Sequence, residues 1–569
     1  MRPRLKMRLG DLLVHEHIIS EQQLNDALQA QKATGRKLGA TLIEQGVIEE
    51  TQLLRFLAQQ LNVAFVNLDN ETIDPSVVKL IPEVYARRFR ALALADLGES
   101  IQIAMSDPAD LSSLDQLAPI VAPKQIEIVV AQEQQILNAF DSLYRRTQDI
   151  ESFASQLQEE YQETEEFDLN ALDENTSDAT VVKLLQSIFE DAVQMRASDI
   201  HIEPDEGILR IRQRIDGILH ENTLDQVAIS AALVLRLKLM SGLDISEKRL
   251  PQDGRFNITI KGHNIDVRVS TMPVQHGESV VMRLLDQSAG LLTLDETGMP
   301  AKVLNKMRTA LKRPHGMILV TGPTGSGKTT TLYGALSELN KSSKKIITVE
   351  DPVEYRLPRI NQVQVNTKIG LDFASVLRTT LRQDPDILMV GEMRDQETVE
   401  IGLRGALTGH LVLSTLHTND AITSAMRLID MGAPSYLVAS SLRAILAQRL
   451  VRRVCDKCAE NYIPDTQELA WINHISSRYG GAEFKLGRGC NSCNQTGYRG
   501  RIGVFELLEM NEAMMDALRL ADTQAFSEAA KANPEFEPLA VMALEYASLG
   551  IISLEEVFRV AESLPELVG

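Results

Sequence analysis

The sequence predicts a multidomain α/β protein, and three observations carry that prediction. A 29-residue helical repeat opens the chain, an acidic stretch without basic residues divides it, and strand–helix alternation after about Lys312 implies a parallel sheet. At roughly 150 residues per domain, 569 residues make three to four domains. Hydrophobic residues at 44% and charged residues at 24% supply packed cores and exclude a largely disordered chain. A net charge of −20 opposes a non-specific nucleic-acid binder, which needs a basic face to displace counterions from phosphates. No apolar run reaches the ~18 residues of a membrane span. The basic residues Arg2, Arg4, Lys6 and Arg8 lead into Gly10-Asp11 and His15-Glu16-His17, not into the unbroken apolar stretch of a signal peptide. The expectation is a soluble, cytoplasmic protein.

The repeat pairs Leu9–Gln31 with Leu38–Gln60, and nine of 23 paired positions are identical. Each copy reads as a short helix, a turn, and a longer helix carrying Leu24 and Leu28, or Leu53 and Leu57, at i, i+4. Packed helical hairpins account for the leucines. Gly10/Gly39 and Gln31/Gln60 need more. A helical Gly loses to Ala by ~1 kcal/mol, and a core Gln must find hydrogen-bond partners. Their recurrence suggests a two-fold ligand site.

From about 65 to 145 the pattern is mixed α/β, with a strand at Ile101–Met105 followed by Ser106-Asp107-Pro108. Thr147–Asp178 then holds eleven acidic residues and no basic one, so 146–178 is predicted to be a solvated, extended or partly helical linker. Order resumes at Ala179 with a helix over 181–196 and strands at 199–203, 208–212 and 265–269.

Ile318-Leu319-Val320 reads as a buried strand running into Gly322-Pro323-Thr324-Gly325-Ser326-Gly327-Lys328-Thr329-Thr330 and then a helix. This is G-x-x-x-x-G-K-S/T in its required strand–loop–helix setting, where loop amides and a helix N-terminus face phosphates. Lys328 neutralises β/γ-phosphate charge and Thr329 coordinates Mg²⁺. Ile346–Val349 ends in Glu350-Asp351, Ile387–Val390 ends in Gly391-Glu392, and Leu411–Thr415 is flanked by His410 and His417. Carboxylates at strand ends belong on the edge where α/β sheets place ligands.

Together these motifs resemble the secretion-superfamily ATPases that drive type II secretion and type IV pilus assembly. Thr348–Tyr355 is similar to the family's acidic box, Gly391–Asp395 to its Walker B segment and Leu407–Asn419 to its histidine box. The resemblance runs from about 180 to the end. It implies a PAS-like domain at 179–290, a RecA-like ATPase domain at 291–569, and a hexameric ring. It also implies that Glu350 polarises the attacking water, Glu392 organises Mg²⁺ through water, and His417 senses the γ-phosphate. Arg268 and Arg283 match the family's two arginine-finger strands; a planar, permanently charged fork suits phosphate oxygens.

All four cysteines fall in two pairs, Cys455-x-x-Cys458 and Cys490-x-x-Cys493, a spacing that suits structural, tetrahedral Zn²⁺. A disulfide pair is the alternative, disfavoured in a reducing compartment. Extension and secretion ATPases of the family carry this module at 455–493; retraction ATPases generally lack it.

Residues 8–60 resemble the cyclic di-GMP-binding module of some pilus and secretion ATPases, best known from the MSHA-type pilus. Arg8, Leu9, Gly10, Leu13, Leu28 and Gln31 match its first half, and Leu38, Gly39, Leu42, Leu57 and Gln60 its second. Asp107 matches an acid that reaches a guanine edge. His17 stands where the second copy has Gly46, a departure expected to alter the first turn. The regulatory domain is placed at 1–145. The reading is a hexameric ATPase driving type IV pilus extension under cyclic di-GMP control, docked on an inner-membrane platform protein at the inner face of the cytoplasmic membrane. A type II secretion ATPase is the alternative, and a nucleic-acid translocase the less favoured one.

Overall fold

The computed structural model describes residues 9–34, 38–71, 73–107, 110–144, 147–163, 176–287, 292–493 and 495–561. It falls into two compact units. The first takes Met1–Leu285 with Cys455–Cys458 and Arg488–Gly497, and the second takes the remainder.

The repeat is real in three dimensions. Helices Leu9–His15 and Glu21–Thr34 form one hairpin, and Leu38–Glu44 and Glu50–Leu61 the other. Their shared core is Leu12, Leu13, Ile19 and Ala27 from the first copy with Leu42, Ile48, Leu53 and Leu57 from the second. A four-stranded sheet follows, ordered Ala64–Phe65, Gln125–Val130, Ser100–Met105, Ala91–Asp96.

The predicted linker needs correction over its first half. Thr147–Glu163 is a helix, and Ile150, Ala154 and Leu157 are buried in the core of the next domain. Those three residues lie at i, i+4, i+7, one apolar stripe on an otherwise acidic helix. Residues 164–175 lie outside the described residues. The stripe packs with helix Thr176–Gln194 and a six-stranded sheet, ordered Ile218–Leu224, Leu209–Ile215, Asp199–Pro204, Gly277–Asp286, His263–Val274, Gln252–Ile260.

The second unit is built on seven strands, ordered Asn361–Gln364, Ile346–Glu350, Ile387–Val390, Leu411–Leu416, Gly316–Thr321, Leu442–Val454, Tyr498–Glu509. All pairs are parallel except the last. Four of the inner strands, Ile346–Glu350, Ile387–Val390, Leu411–Leu416 and Gly316–Thr321, are buried along their whole length, as strands inside a parallel sheet are. In-register pairing of Val349 with Val390, Val390 with Ser414 and Val320 with Thr415 brings the carboxyl ends of four strands to one edge. The site residues follow those ends.

Candidate active site

The phosphate loop leaves the buried strand Gly316–Thr321 and closes on helix Lys328–Leu339. Gly322, Gly325 and Gly327 have φ of 147°, 80° and 87°, values that favour glycine. A Cβ on Gly322 would also run into the Gln448 carbonyl oxygen. Pro323, Thr324, Gly325, Thr329 and Thr330 are exposed, and Ser326 is turned inward. Gln448 fixes the loop from the neighbouring strand. Its Nε2 donates to the Ser326 carbonyl at 2.7 Å and its Oε1 accepts from Thr331 at 2.8 Å. Lys328 Nζ donates to the Gly322 carbonyl at 2.7 Å and stands 3.5 Å from His417 Nδ1. Burial lowers the Lys328 pKa to about 8, against the opposing pull of Glu392.

His417 also reaches Glu392, Nε2 to Oε2 at 3.4 Å, and Arg394 pairs with the other Glu392 oxygen at 2.5 Å. One imidazole therefore stands between the phosphate-loop lysine and the Walker B carboxylate. Thr415 Oγ1 donates to the Gly391 carbonyl at 2.7 Å and fixes that strand end. Glu350 is only 3% exposed. Its Oε2 accepts from the Tyr333 hydroxyl, and its Oε1 accepts from Thr348 Oγ1 at 2.5 Å and Gln362 Nε2 at 3.2 Å. Gly391 abuts it; a Cβ there would lie 3.4 Å from Glu350 Cα. Lys328, Glu350, Glu392 and His417 thus share one sheet edge. Tyr333, Gln362 and Gln448 escape sequence reasoning, since none of them belongs to a local motif.

Arg268 and Arg283 belong to the first unit. Arg283 lies opposite Asp199 in the sheet, 3.3 Å away, and is 55% exposed. Arg268 Nε is 3.7 Å from Asp266.

The four cysteine side chains are buried, and their sulfurs lie within 4.8 Å of one another. Cys455–Cys490, Cys458–Cys493 and Cys490–Cys493 are separated by 3.9, 3.8 and 3.7 Å. A disulfide needs about 2.05 Å, whereas Zn–S bonds of about 2.3 Å in a tetrahedron put sulfurs about 3.8 Å apart. The amides of Cys490 and Gly497 point at Cys493 Sγ from 3.2 and 3.3 Å, as they would at a thiolate. The residues fit a zinc ion.

In the repeat, Leu13 and Leu42 are fully buried and Leu9 and Leu38 pack on the same core. Gly10 and Gly39 have a packing reason. A Cβ on Gly10 would meet Leu24 Cδ1 at 2.5 Å, and one on Gly39 the equivalent Leu53 Cδ2 at 3.0 Å. Gln31, Gln60 and Asp107 are half-buried, Leu28 is exposed, and Leu57 is buried. Arg8 lies outside the described residues. The expected disturbance at His17 is absent. His17 has φ 59° and Gly46 φ 67°, so the same left-handed turn closes both short helices.

A parallel sheet with a phosphate loop, two strand-end carboxylates and a histidine at one edge defines a P-loop NTPase. Residues 174–559 match the family model "Type II/IV secretion system protein", and residues 61–150 match the "MshEN domain". The second match begins where the helical repeat ends. The type IV pilus assembly ATPase PilB of Myxococcus xanthus is 42% identical over 99% of this chain and 98% of its own. Type II secretion system protein E of Xanthomonas campestris is 38% identical over 98% of each. The DotB ATPase of Legionella pneumophila shares the fold over 67% of this chain and 95% of its own, with TM-score 0.50 and 21% identity. The chain belongs to the type II/IV secretion system protein family and is an ATPase. Among the described residues, no helix is long and apolar enough to cross a membrane.

Proposed function

We propose that this chain is a hexameric motor that hydrolyses ATP to drive type IV pilus extension and is gated by cyclic di-GMP. The observation that carries the motor is the convergence of Lys328, Glu350, Glu392 and His417 on one edge of the parallel sheet. The phosphate loop, Gly322–Thr330, holds the triphosphate. Thr329 and, through water, Glu392 are the residues that would hold Mg²⁺, which supplies charge neutralisation at the β- and γ-phosphates. Glu350 polarises the water and His417 reports the γ-phosphate to Glu392. Arg268 and Arg283, on a PAS-like domain, complete the transition-state charge in the ring. The zinc module at 455–493 and the full-length likeness to a pilus assembly ATPase favour extension.

The helical repeat and the MshEN match over 61–150 support a cyclic di-GMP site in the N-terminal region, roughly 1–145. Arg8 meets phosphate or a guanine face, Gln31 and Gln60 meet polar edges, and Asp107 meets a guanine edge. The ring docks on an inner-membrane platform protein. Type II secretion is the second reading, favoured by the comparable coverage of a protein E relative.

The test is steady-state ATPase of the purified full-length ring with and without cyclic di-GMP, beside calorimetric binding of the dinucleotide. Arg8→Ala should weaken binding roughly tenfold or more, the worth of one hydrogen bond to a charged group, and Gln60→Ala should weaken it by less, while basal turnover survives. Wild-type affinity in both variants would reduce the repeat to a packing motif. Capture of the cognate platform protein decides between pilus and secretion.

A further inference from the structure

The Glu350 carboxylate has about four lone-pair sites, and three are filled from within the ATPase unit. Thr348 Oγ1 and Gln362 Nε2 both donate to Oε1, and the Tyr333 hydroxyl donates to Oε2. The direction of two of these bonds is fixed by a further partner. The Tyr333 oxygen accepts the Glu354 N–H at 3.3 Å, so its own proton is directed at Glu350. Gln362 Oε1 accepts the Leu357 N–H at 2.7 Å, and Nε2 also donates to the Tyr355 carbonyl at 2.9 Å, which fixes the amide with its donor towards Glu350. Tyr333 stands edge-on to Tyr355, ring centroids 6.3 Å apart, and both Tyr333 and Thr348 are buried.

Such an arrangement does more than satisfy a buried carboxylate. It saturates Oε1 and leaves one lone pair on Oε2. It also ties that oxygen to the helix Lys328–Leu339, the element that carries Lys328 and Thr329. The strand Asn361–Gln364 supplies the third donor from the far side. Groups that hold a base in one orientation lower the barrier without touching the reactants.

Accepting that Glu350 polarises the attacking water, we propose that Tyr333, Thr348 and Gln362 are its positioning residues. They present a single lone pair of Oε2 to the water and set it in register with the phosphate-binding helix. The signal in the sequence is slight: a tyrosine five residues after the loop lysine, and a glutamine twelve residues after the acid.

The experiment is ATPase kinetics on the full chain for Tyr333→Phe, Thr348→Val and Thr348→Ser, alone and with Glu350→Gln. Tyr333→Phe and Thr348→Val should each lower kcat about tenfold, as loss of one bond to a charged group does, with KM for ATP unchanged. Thr348→Ser should restore turnover, and neither loss should deepen in the Glu350→Gln background, because residues acting as a unit are not additive. Unchanged kcat in Tyr333→Phe and Thr348→Val overturns the proposal, even where Glu350→Gln is inactive. So do losses in which kcat, KM and melting temperature fall together, or which add to that of Glu350→Gln. Normal turnover of Glu350→Gln itself removes the assignment of Glu350 beneath it, a separate failure. If Tyr333→Phe does not fold, the Thr348 pair alone decides.

Discussion

Glycines mark both the phosphate loop and the N-terminal repeat, and they are there for opposite reasons. Gly322, Gly325 and Gly327 carry positive φ and open an exposed loop to a ligand. Gly10 and Gly39 have helical neighbours, and the space a Cβ would need is taken by Leu24 and Leu53. In the ATPase unit a sheet with buried inner strands frees its strand ends for chemistry. In the repeat, five of the nine recurring positions (Leu9, Gly10, Leu13, Ile19 and Leu24 with their counterparts) are consumed in holding two hairpins together. A motif therefore reads as chemistry where the scaffold beneath it is independently stable, and as packing where the motif is itself the scaffold.

The catalytic side of that comparison is broken or upheld by its largest effects. Lys328→Ala should abolish ATP binding, and Glu350→Gln should retain binding while slowing hydrolysis by roughly 10² or more. Filter binding and phosphate release measure the two separately. Near-normal turnover would show that the sheet edge is not where water is activated.

The cysteine cluster is the next most sensitive, because a closed thiolate site contributes directly to folding. Elemental analysis should find one zinc per chain. Cys455→Ser should lose the metal and lower the thermal transition by several degrees. A metal-free chain with an unchanged transition would make the 3.7–3.9 Å sulfur spacing a matter of apolar packing alone.

Glu506 sharpens the account of how the ATPase scaffold is held. It is buried on strand Tyr498–Glu509 and accepts the N–H groups of Ala421 at 2.5 Å and Leu539 at 2.8 Å. It thereby caps two helices, one of which begins four residues after His417. Burial outweighs those two bonds and pushes its pKa up to about 7. Between pH 4.5 and about 7 the native state keeps a proton that the unfolded chain releases. Stability should therefore fall as pH rises through that window and level off above it, by on the order of 3 kcal/mol for this group. Urea midpoints from pH 5 to 8 should show the slope, and Glu506→Gln should flatten it.

These cases show what was legible in the chain and what was not. Lys328, Glu350, Glu392, His417 and the four cysteines were readable because each sits at a fixed offset from a strand end or a partner residue. The repeat was readable because 29-residue self-similarity survives divergence at the other positions. Gln448 and Glu506 were not, because their partners Ser326 and Ala421 lie 122 and 85 residues away. The packing of the helix Thr147–Glu163 was hidden by its composition: acidic residues outnumber the three apolar side chains, Ile150, Ala154 and Leu157, that bury it.

The glycine contrast itself predicts a graded pair. Gly10→Ala must displace Leu24 by several tenths of an ångström, whereas Gly39→Ala meets Leu53 at 3.0 Å. Overpacking costs ~1–3 kcal/mol and the gain in helix propensity returns ~1. Gly10→Ala should thus lose about 1 kcal/mol net, more than Gly39→Ala, in denaturant melts followed at the repeat. Equal losses of cyclic di-GMP affinity in both, with stability unchanged, would return these glycines to the ligand.

The smallest effect tests the repeat's symmetry. His17 N–H bonds to the Val14 carbonyl at 3.0 Å, and Ile18 N–H to that of Leu13 at 3.0 Å. In the second copy Gly46 bonds to Ile43 at 2.9 Å and Val47 to Leu42 at 3.0 Å. The two helices end in the same cap, although one uses a residue with a Cβ in the left-handed region. Histidine tolerates that region better than most, but still less well than glycine. His17→Gly should therefore stabilise the first hairpin by about 0.5–1 kcal/mol, and Gly46→Ala should destabilise the second by about 1 kcal/mol. Because the chain has several domains, a global melt is a poor gauge; hydrogen exchange at amides 16–19 and 45–48 reads each cap locally. Slower exchange after His17→Gly and faster exchange after Gly46→Ala would confirm that the hairpins are held by one local rule. Faster exchange after His17→Gly would mean the imidazole makes a contact that its glycine counterpart cannot, and the two copies would differ in what they bind.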